Sequence, residues 1–143
     1  MGQGELALRR CLSASKCISA DVNAAFDPAY ASVMDKQNAS LMSYGPVISK
    51  YTGSRGKSGS SDASAEFMGY IRNMFDSNSI VWQTGELGKV DLGGGGTIAQ
   101  YVANLDIDTI DMGVPILSMH SPLEVASKFD IYMAYEAYKA FIK

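Results

Sequence analysis

The sequence predicts an α/β fold in which a mainly parallel β-sheet is flanked by helices. Segments with the pattern of short strands alternate with segments whose apolar residues repeat at helical spacing, and a glycine run leads into a helix. Strands separated by helices at this spacing form βαβ units, whose parallel sheet needs helices on both faces. The chain has 143 residues, of which 47% are hydrophobic, and this fits one domain or a piece of one.

The N-terminal third predicts a helix followed by two strands. Residues 5–16 carry apolar side chains along one face, which is typical of a short helix. Residues 17–22 have the pattern of a buried strand, and Asp21 lies near its end. A second strand is predicted near residues 47–51.

The middle of the chain predicts a polar loop and an amphipathic helix. Residues 52–61 are rich in glycine and serine, so we expect a mobile loop there unless a ligand binds it. Ser61 or Asp62 can cap the helix that follows. Its apolar side chains repeat at helical spacing and should cover one face of the sheet: Ala63, Phe67, Ile71, Met74 and Phe75.

The C-terminal part predicts two further strands and two helices. Residues 80–84 and 109–116 have strand-like patterns, and residues 93–97 form a glycine loop that leads into a helix. The run Ser-Pro-Leu-Glu at 121–124 supplies an N-cap serine, a proline and a glutamate. It therefore predicts a last helix that begins there and runs through Phe141.

The composition argues against several function classes. The net charge is −3 and the basic residues are scattered, so no basic stripe is available for nucleic acid. No run of about eighteen apolar residues is present, and the first ten residues lack a secretory or transit pattern. We therefore expect a cytoplasmic protein without a membrane partner.

Cys11 and Cys17 have neither metal-site nor disulfide-framework spacing, so we expect buried free thiols.

Two residues lie where open α/β sheets bind ligands, which is beyond strand ends and at helix N-termini. His120 is the only histidine and lies between a predicted strand and the last helix. Asp21 lies near a strand end. Each has an alternative role, because a lone histidine is commonly structural or exposed and such an aspartate can cap a helix or accept backbone N–H bonds. The residue pattern alone leaves both roles open.

Two glycine-containing loops raise the question of anion binding. Residues 93–97 are suited to it, because residues without Cβ let backbone N–H groups approach a ligand at a helix N-terminus; a hinge or tight turn is the equal alternative. Residues 53–58 resemble the end of a nucleotide-binding P-loop. Tyr51 stands where that motif needs glycine, however, and no apolar helix follows, so nucleotide binding is not expected.

Six ordered segments together resemble the M18 aminopeptidases, and the aminopeptidase I branch more than the aspartyl aminopeptidases. They are S-A-D-V-N-A-A-F-D-P at 19–28, K-Y-T-G-S-R-G-K at 50–57, S-S-D-A-S-A-E-F at 60–67, W-Q-T-G-E-L-G-K-V at 82–90, the glycine-threonine loop, and M-H-S at 119–121. The resemblance runs through nearly the whole chain. It implies the C-terminal half of a zinc-peptidase-like catalytic domain, with residues 1–143 as a single partial domain.

The resemblance also implies site residues and a cofactor. Members of this family bind two zinc ions, and the S-A-D and M-H-S motifs place one metal ligand at Asp21 and another, on the other ion, at His120. Carboxylate and imidazole ligands suit zinc. By the same resemblance, four residues would line the pocket for the peptide substrate: Lys50, Gly95, Gly96 and Thr97.

The chain departs from the family pattern in two ways. The upstream H-x-D segment, the bridging aspartate and the Glu-Glu pair with the general base have no counterpart, so we expect an inactive chain that needs the missing N-terminal half as a partner. Ala24 and Asp27 stand where aspartyl aminopeptidases have histidines, which favours neutral or apolar N-terminal residues over acidic ones.

Two alternatives to the peptidase fragment stay open. If the chain has no catalytic partner, it would be a non-catalytic remnant with a structural or assembly role. In either case we expect a homo-oligomer, because self-association would cover exposed sheet edges and apolar faces. An anion-binding module that uses the glycine loop is the third possibility, and it predicts phosphate binding that survives loss of His120.

Overall fold

The computed structural model describes residues 4–54, 58–89 and 92–143. Their helices are α1 (Glu5–Ser13), α2 (Ala65–Ser77), α3 (Ala99–Ala103) and α4 (Lys128–Ile142), with a 3-10 segment at Pro28–Val33. Their strands are β1 (Lys16–Ala24), β2 (Val47–Ser49), β3 (Tyr51–Ser54), β4 (Ser58–Asp62), β5 (Gln83–Thr84), β6 (Asp108–Leu117) and β7 (Val125–Ala126).

A central sheet with the strand order β1-β6-β2-β5 organises the chain, and β7 pairs with β6 outside this path. β1 pairs with β6 in parallel along its whole length, and β2 pairs with β5 in parallel. The β2–β6 and β6–β7 pairings are antiparallel. The predicted α/β class with a sheet flanked by helices is confirmed. The sheet is mixed because β2 and β7 both run antiparallel to β6, and β7 returns beside β6 after a short turn, which only an antiparallel pair allows.

The main core lies between the sheet and the helices α2 and α4. Ile48, Ile110 and Met112 of the sheet pack against an apolar stripe of α2 and against Ala137 of α4. That stripe is the predicted one, since Phe67, Ile71 and Phe75 are fully buried. Burial of each such side chain contributes about 2 kcal/mol.

The N-terminus of α2 lies beyond the residues predicted to cap it. Ser64 is the N-cap, and its Oγ accepts the N–H of Phe67 at 3.1 Å. The prediction of Ser61 or Asp62 is wrong because β4 keeps both residues extended through its pairing with β3.

Strands β3 and β4 form an antiparallel hairpin where an irregular mobile loop was expected. Thr52 pairs with Ser61, and the Gly53 N–H donates to the Gly95 carbonyl at 2.9 Å. The loop prediction is therefore wrong at both ends of the segment, because tertiary contacts hold this polar sequence in a sheet. The centre of the P-loop-like segment, residues 55–57, lies outside the described residues.

The last helix begins later than predicted. Its N-cap is Ser127, and the predicted capping run at 121–124 forms bends that lead into β7. The expectation of a helix start at Ser121 is wrong because pairing with Ile116 and Leu117 keeps the two residues of β7 extended.

A buried carboxylate joins α4 to the turn before β2. Asp130 is fully buried, and its two oxygens accept the N–H groups of Ser43 and Gly45, each at 2.7 Å. These charge-assisted hydrogen bonds compensate the burial of the charge. The helices in the described parts of the chain are too short or too polar to cross a lipid bilayer.

Both cysteines are free thiols, as expected, but they are less buried than predicted. Cys11 is exposed on α1, and Cys17 is half-buried in β1. The short helix α1 has no buried residue, so its cysteine cannot be shielded.

Candidate functional site

A pocket of about 140 Å³ opens on the sheet face opposite α2 and α4. Along β1, Ile18 packs against the core, whereas the alternate side chains Ser19, Asp21 and Asn23 line the pocket. This alternation is the two-residue period of a strand, which divides its side chains between the two faces.

The pocket brings together the two predicted metal ligands. Asp21 reaches it from β1, and His120 reaches it from the turn after β6. The Asp21 Oδ1 accepts the N–H of Val22 at 2.8 Å. His120 has a φ of 67°, and its N–H donates to Glu124 Oε1 at 2.6 Å. The two residues that the sequence predicts as ligands therefore line the same pocket, although 98 intervening residues separate them in the sequence.

The predicted glycine-threonine turn also lines this pocket. Gly95, Gly96 and Thr97 are all among its lining residues. Nothing in the described structure lies within 4 Å of a Cβ built on Gly96, so this glycine leaves open space at the pocket wall. The Thr97 Oγ1 accepts the N–H of Ala99, the first residue of the short helix α3, at 3.0 Å, which uses up one donor that an anion would need.

Sequence reasoning missed the carboxylate that fixes this turn. Asp111 of β6 is buried beneath the pocket, and it accepts hydrogen bonds from Thr97 Oγ1 at 2.5 Å and from Thr52 Oγ1 at 3.2 Å. It therefore joins the hairpin, the glycine loop and the sheet. The available signal was a charged residue inside the apolar run Ile-Asp-Met of a predicted buried strand.

The structure does not bring Lys50 into the pocket. Its Nζ donates to Asp62 Oδ1 at 2.5 Å, and the residue lines a separate groove together with Asn38 and Thr84. An exposed ion pair of this kind contributes little to stability. Lys50 thus lies at the surface beside β2, outside the pocket that Asp21 and His120 line.

The pocket floor depends on a close approach of β1 and β6. A Cβ on Gly113 would lie 2.7 Å from the carbonyl oxygen of Asp21 and 2.7 Å from the carbonyl carbon of Val22. Asn23 is fixed beside it, because its Nδ2 donates to Ser49 Oγ at 2.9 Å. Glycine at position 113 therefore sets where the Asp21 backbone lies.

The donor set fits zinc in kind but is incomplete in number. Two carboxylates, Asp21 and Asp111, and the His120 imidazole line the pocket, and both types of group are common zinc ligands, but Asp111 already accepts hydrogen bonds from two threonines. Within residues 4–54, 58–89 and 92–143, no group of three or more His, Cys, Asp or Glu side chains is placed to hold a metal ion. A closed zinc site would need ligands from outside the described chain.

Comparison with known proteins decides the family. The sequence profile described as "Aminopeptidase I zinc metalloprotease (M18)" matches residues 1–142. The chain belongs to the M18 aminopeptidase family. It is 55% identical over 138 residues to a probable M18 family aminopeptidase 1 of Borreliella afzelii, an alignment that covers 96% of this chain and 30% of that protein. The corresponding protein of Clostridium acetobutylicum is 51% identical over 138 residues, with the same coverage of 96% and 30%.

Solved M18 structures share the fold. The M18-family aminopeptidase of Thermotoga maritima superposes with a TM-score of 0.94 at 44% identity, covering 99% of this chain and 32% of that one. The aminopeptidase I of Clostridium acetobutylicum superposes with a TM-score of 0.91 at 50% identity, covering 97% and 30%. The M18 chain described here therefore spans about 30% of the length of the relatives that it matches.

Proposed function

We propose that residues 1–143 form one partial catalytic domain, the C-terminal segment of a zinc-dependent metalloaminopeptidase that removes N-terminal residues from peptides. The observation that carries the proposal is the convergence of Asp21 and His120 on one pocket in an M18 chain. In this proposal each side chain holds one of two zinc ions. Zinc bound there would supply Lewis-acid polarisation of the scissile carbonyl and an activated water.

The chain's own residues would place the peptide. Gly95, Gly96 and Thr97 form a wall of the pocket, and the hydrogen bond from Thr97 to Asp111 keeps that wall fixed. A fixed wall orients a bound peptide end before reaction. Lys50, which lines the neighbouring groove, would contact only the part of a peptide that extends beyond the pocket.

A neutral or apolar N-terminal residue fits the pocket best. The lining includes Leu87, Met112 and Met119, and it includes no lysine or arginine among the described residues. An acidic side chain would lose its hydration there without a lysine or arginine side chain to pair with it. This supports the preference for neutral or apolar N-terminal residues, which the sequence predicts from the presence of Ala24 and Asp27.

The isolated chain would be inactive. Two-metal hydrolysis needs a general base and enough ligands for both ions, and the described residues provide too few of them. The missing N-terminal half of the catalytic domain is therefore the proposed partner, and the proposed location is the cytoplasm.

Zinc analysis and a peptidase assay test this function. The chain alone should bind zinc below one equivalent and leave leucine p-nitroanilide intact. Co-expression with the portion of the Clostridium acetobutylicum relative that it does not span should restore zinc binding and hydrolysis, with leucine preferred over glutamate. His120→Ala should abolish hydrolysis while the complex still forms. A zinc-loaded complex that hydrolyses no peptide would refute the proposal.

The second candidate, a non-catalytic remnant that assembles, has one observation in its favour. Ile131, Tyr132 and Tyr135 on the outer face of α4 are 51%, 56% and 57% exposed. Such a cluster on one helix face favours a protein contact, and a homo-oligomer would cover it. Analytical sedimentation tests this candidate. It would be favoured by an oligomer that forms without zinc and that Tyr132→Lys disrupts, provided that no partner polypeptide activates the chain.

A further inference from the structure

A buried side-chain oxygen at the pocket has no hydrogen-bond partner. Asn23 of β1 is one of the lining residues, and it is only 7% exposed. Its Oδ1 is buried and accepts no hydrogen bond from the described residues. A buried carbonyl oxygen without a donor destabilises the fold, so such atoms are rare and call for an explanation. We therefore asked which donor this oxygen would take.

The hydroxyl of Ser49 fixes the direction in which the Asn23 amide faces. Ser49 Oγ donates its single hydrogen to the carbonyl of Gly85 at 3.0 Å, so towards Asn23 it can only accept. The group 2.9 Å from Ser49 Oγ is therefore the Asn23 amino group, Nδ2. The unpaired atom is the carbonyl oxygen, and a flip of the amide would lose the bond to Ser49. The missing partner must be a donor.

The other polar side chains on this side of the pocket are already paired with one another. Thr97 and Thr52 each donate to one oxygen of Asp111, at 2.5 Å and 3.2 Å. Ser19 Oγ donates to Thr97 Oγ1 at 3.4 Å. In the proposed function Asp21 holds zinc. Among the described lining residues, Asn23 Oδ1 is therefore the buried side-chain oxygen that remains for a ligand.

The surroundings of Asn23 restrict the kind of donor. The oxygen is almost enclosed and the pocket holds about 140 Å³, so a compact group fits where a guanidinium or an indole does not. A peptide with a neutral or apolar first residue carries its N–H donors on the α-amino group and the main-chain amides. The α-amino group is the least hindered of these, and it has at least two N–H bonds in either protonation state.

Resting on the proposed function, we propose that Asn23 is a substrate-binding residue whose Oδ1 accepts a hydrogen bond from the α-amino group of the peptide. The bond from Nδ2 to Ser49 holds the acceptor in place before the peptide arrives. A blocked or internal peptide has no such amino group and would leave the oxygen unpaired. Asn23 thus favours free N-termini.

Two small amides test this contact without any hydrolysis. Leucinamide carries the α-amino group, and 4-methylpentanamide is the same molecule without it. Both are titrated into the isotope-labelled chain, and then into the co-expressed complex described above, while the Asn23 side-chain amide is followed by NMR. Leucinamide should bind more tightly than 4-methylpentanamide and should shift the Asn23 signals.

Variants assign the difference to the oxygen. Asn23→Ala should reduce the advantage of leucinamide over 4-methylpentanamide by about tenfold and leave the affinity for 4-methylpentanamide nearly unchanged. A merely structural role would weaken both ligands alike. Asn23→Leu keeps the volume and serves if the alanine variant does not fold; if neither folds, the two titrations of the wild type decide.

Asn78→Ala is the matched control. Asn78 is exposed at the C-terminus of α2, on the other side of the sheet, where its Nδ2 donates to the carbonyl of Met74 at 2.8 Å. This variant should bind both amides as the wild type does. In a complex that hydrolyses leucine p-nitroanilide, Asn23→Ala should raise KM with little change in kcat, whereas Asn78→Ala should change neither.

The outcomes separate this inference from the proposed function. Binding that prefers the amine and depends on Asn23, in a complex without zinc or hydrolysis, would support the contact and refute the proposed function. Equal binding of the two amides to the wild type would overturn the contact, because the oxygen would then be completed by an ordered water only. No binding of leucinamide to chain or complex, or a preference that both Asn23 variants retain, would overturn it even if hydrolysis appears.

Discussion

Glu124 holds the backbone of His120 in place: its Oε1 accepts the His120 N–H at 2.6 Å, and His120 has a φ of 67°. The left-handed region is unfavourable for a residue with a Cβ and persists only where surrounding contacts fix it. This glutamate reaches back to an upstream N–H as a capping-box glutamate does, although no helix begins there. The direction of the His120 imidazole therefore depends on an exposed carboxylate four residues later.

Glu124→Ala should loosen this turn without unfolding the chain. We expect the His120 amide to exchange several-fold faster, because its acceptor is lost. Glu124→Gln keeps an acceptor oxygen and should restore most of the protection. Residue-resolved hydrogen exchange measures the effect, and equal His120 exchange in the alanine variant and the wild type would contradict the role of Glu124.

Gly45→Ala should destabilise the fold strongly. Gly45 has a φ of 86°, and a Cβ there would lie 2.0 Å from the carbonyl oxygen of Val81, a backbone atom that cannot rotate away. The Gly45 N–H is also one of the two that Asp130 accepts. We expect a loss of about 3 kcal/mol or more in the free energy of unfolding, measured by urea denaturation.

Gly69→Ala is the matched control for that experiment. Gly69 lies in the interior of α2, and nothing lies within 4 Å of a Cβ built on it. Alanine there should stabilise the protein by up to about 1 kcal/mol, because it lowers the entropy of the unfolded chain and favours the helix. Similar destabilisation by both substitutions would mean that the close contact at Gly45 is not the cause.

Gly113→Ala should move β1 away from β6 and displace Asp21. The added methyl would meet the backbone of Asp21 and Val22 at 2.7 Å, so we expect destabilisation of about 2 kcal/mol or more and lower zinc occupancy in the co-expressed complex. Gly96→Ala adds the same methyl in open space and should leave the unfolding midpoint unchanged. Equal midpoints for the two variants would rule out the close approach at Gly113.

The two thiols should react at different rates. Burial, and secondarily the charge of Asp111, raise the pKa of the Cys17 thiol. Its thiolate fraction at pH 8 is therefore lower than that of an ordinary thiol, and the thiolate is the reactive form. Mass spectrometry after brief iodoacetamide treatment should show Cys11 alkylated before Cys17.

Unfolding in urea provides the control for the alkylation experiment. Both thiols should then react at similar rates, because the burial of Cys17 and its proximity to Asp111 are lost. Faster labelling of Cys17 than of Cys11 in the folded chain would show that its environment does not suppress the thiolate.

Local patterns in the sequence determined the elements that bury apolar surface. The helical period of α2 and the apolar runs of β1 and β6 gave the correct element types, because each depends on side chains only a few residues apart. The position of His120 after a strand followed from those elements, whereas Asp21, predicted near a strand end, lies inside β1, which continues to Ala24. Their role as metal ligands stays a prediction, which came from the resemblance to the M18 family.

Only the tertiary structure decided how distant segments meet. Pairing of β7 with β6 replaced the predicted helix start at Ser121, pairing of β3 with β4 replaced a loop, and Lys50 came to lie in a separate groove. The convergence of Thr52 and Thr97 on Asp111 joins residues from two strands and the glycine loop, and no local periodicity encodes it. The reason is that strand pairing and buried hydrogen bonds are satisfied between segments far apart in the chain, whereas sequence patterns report the preferences of neighbouring residues.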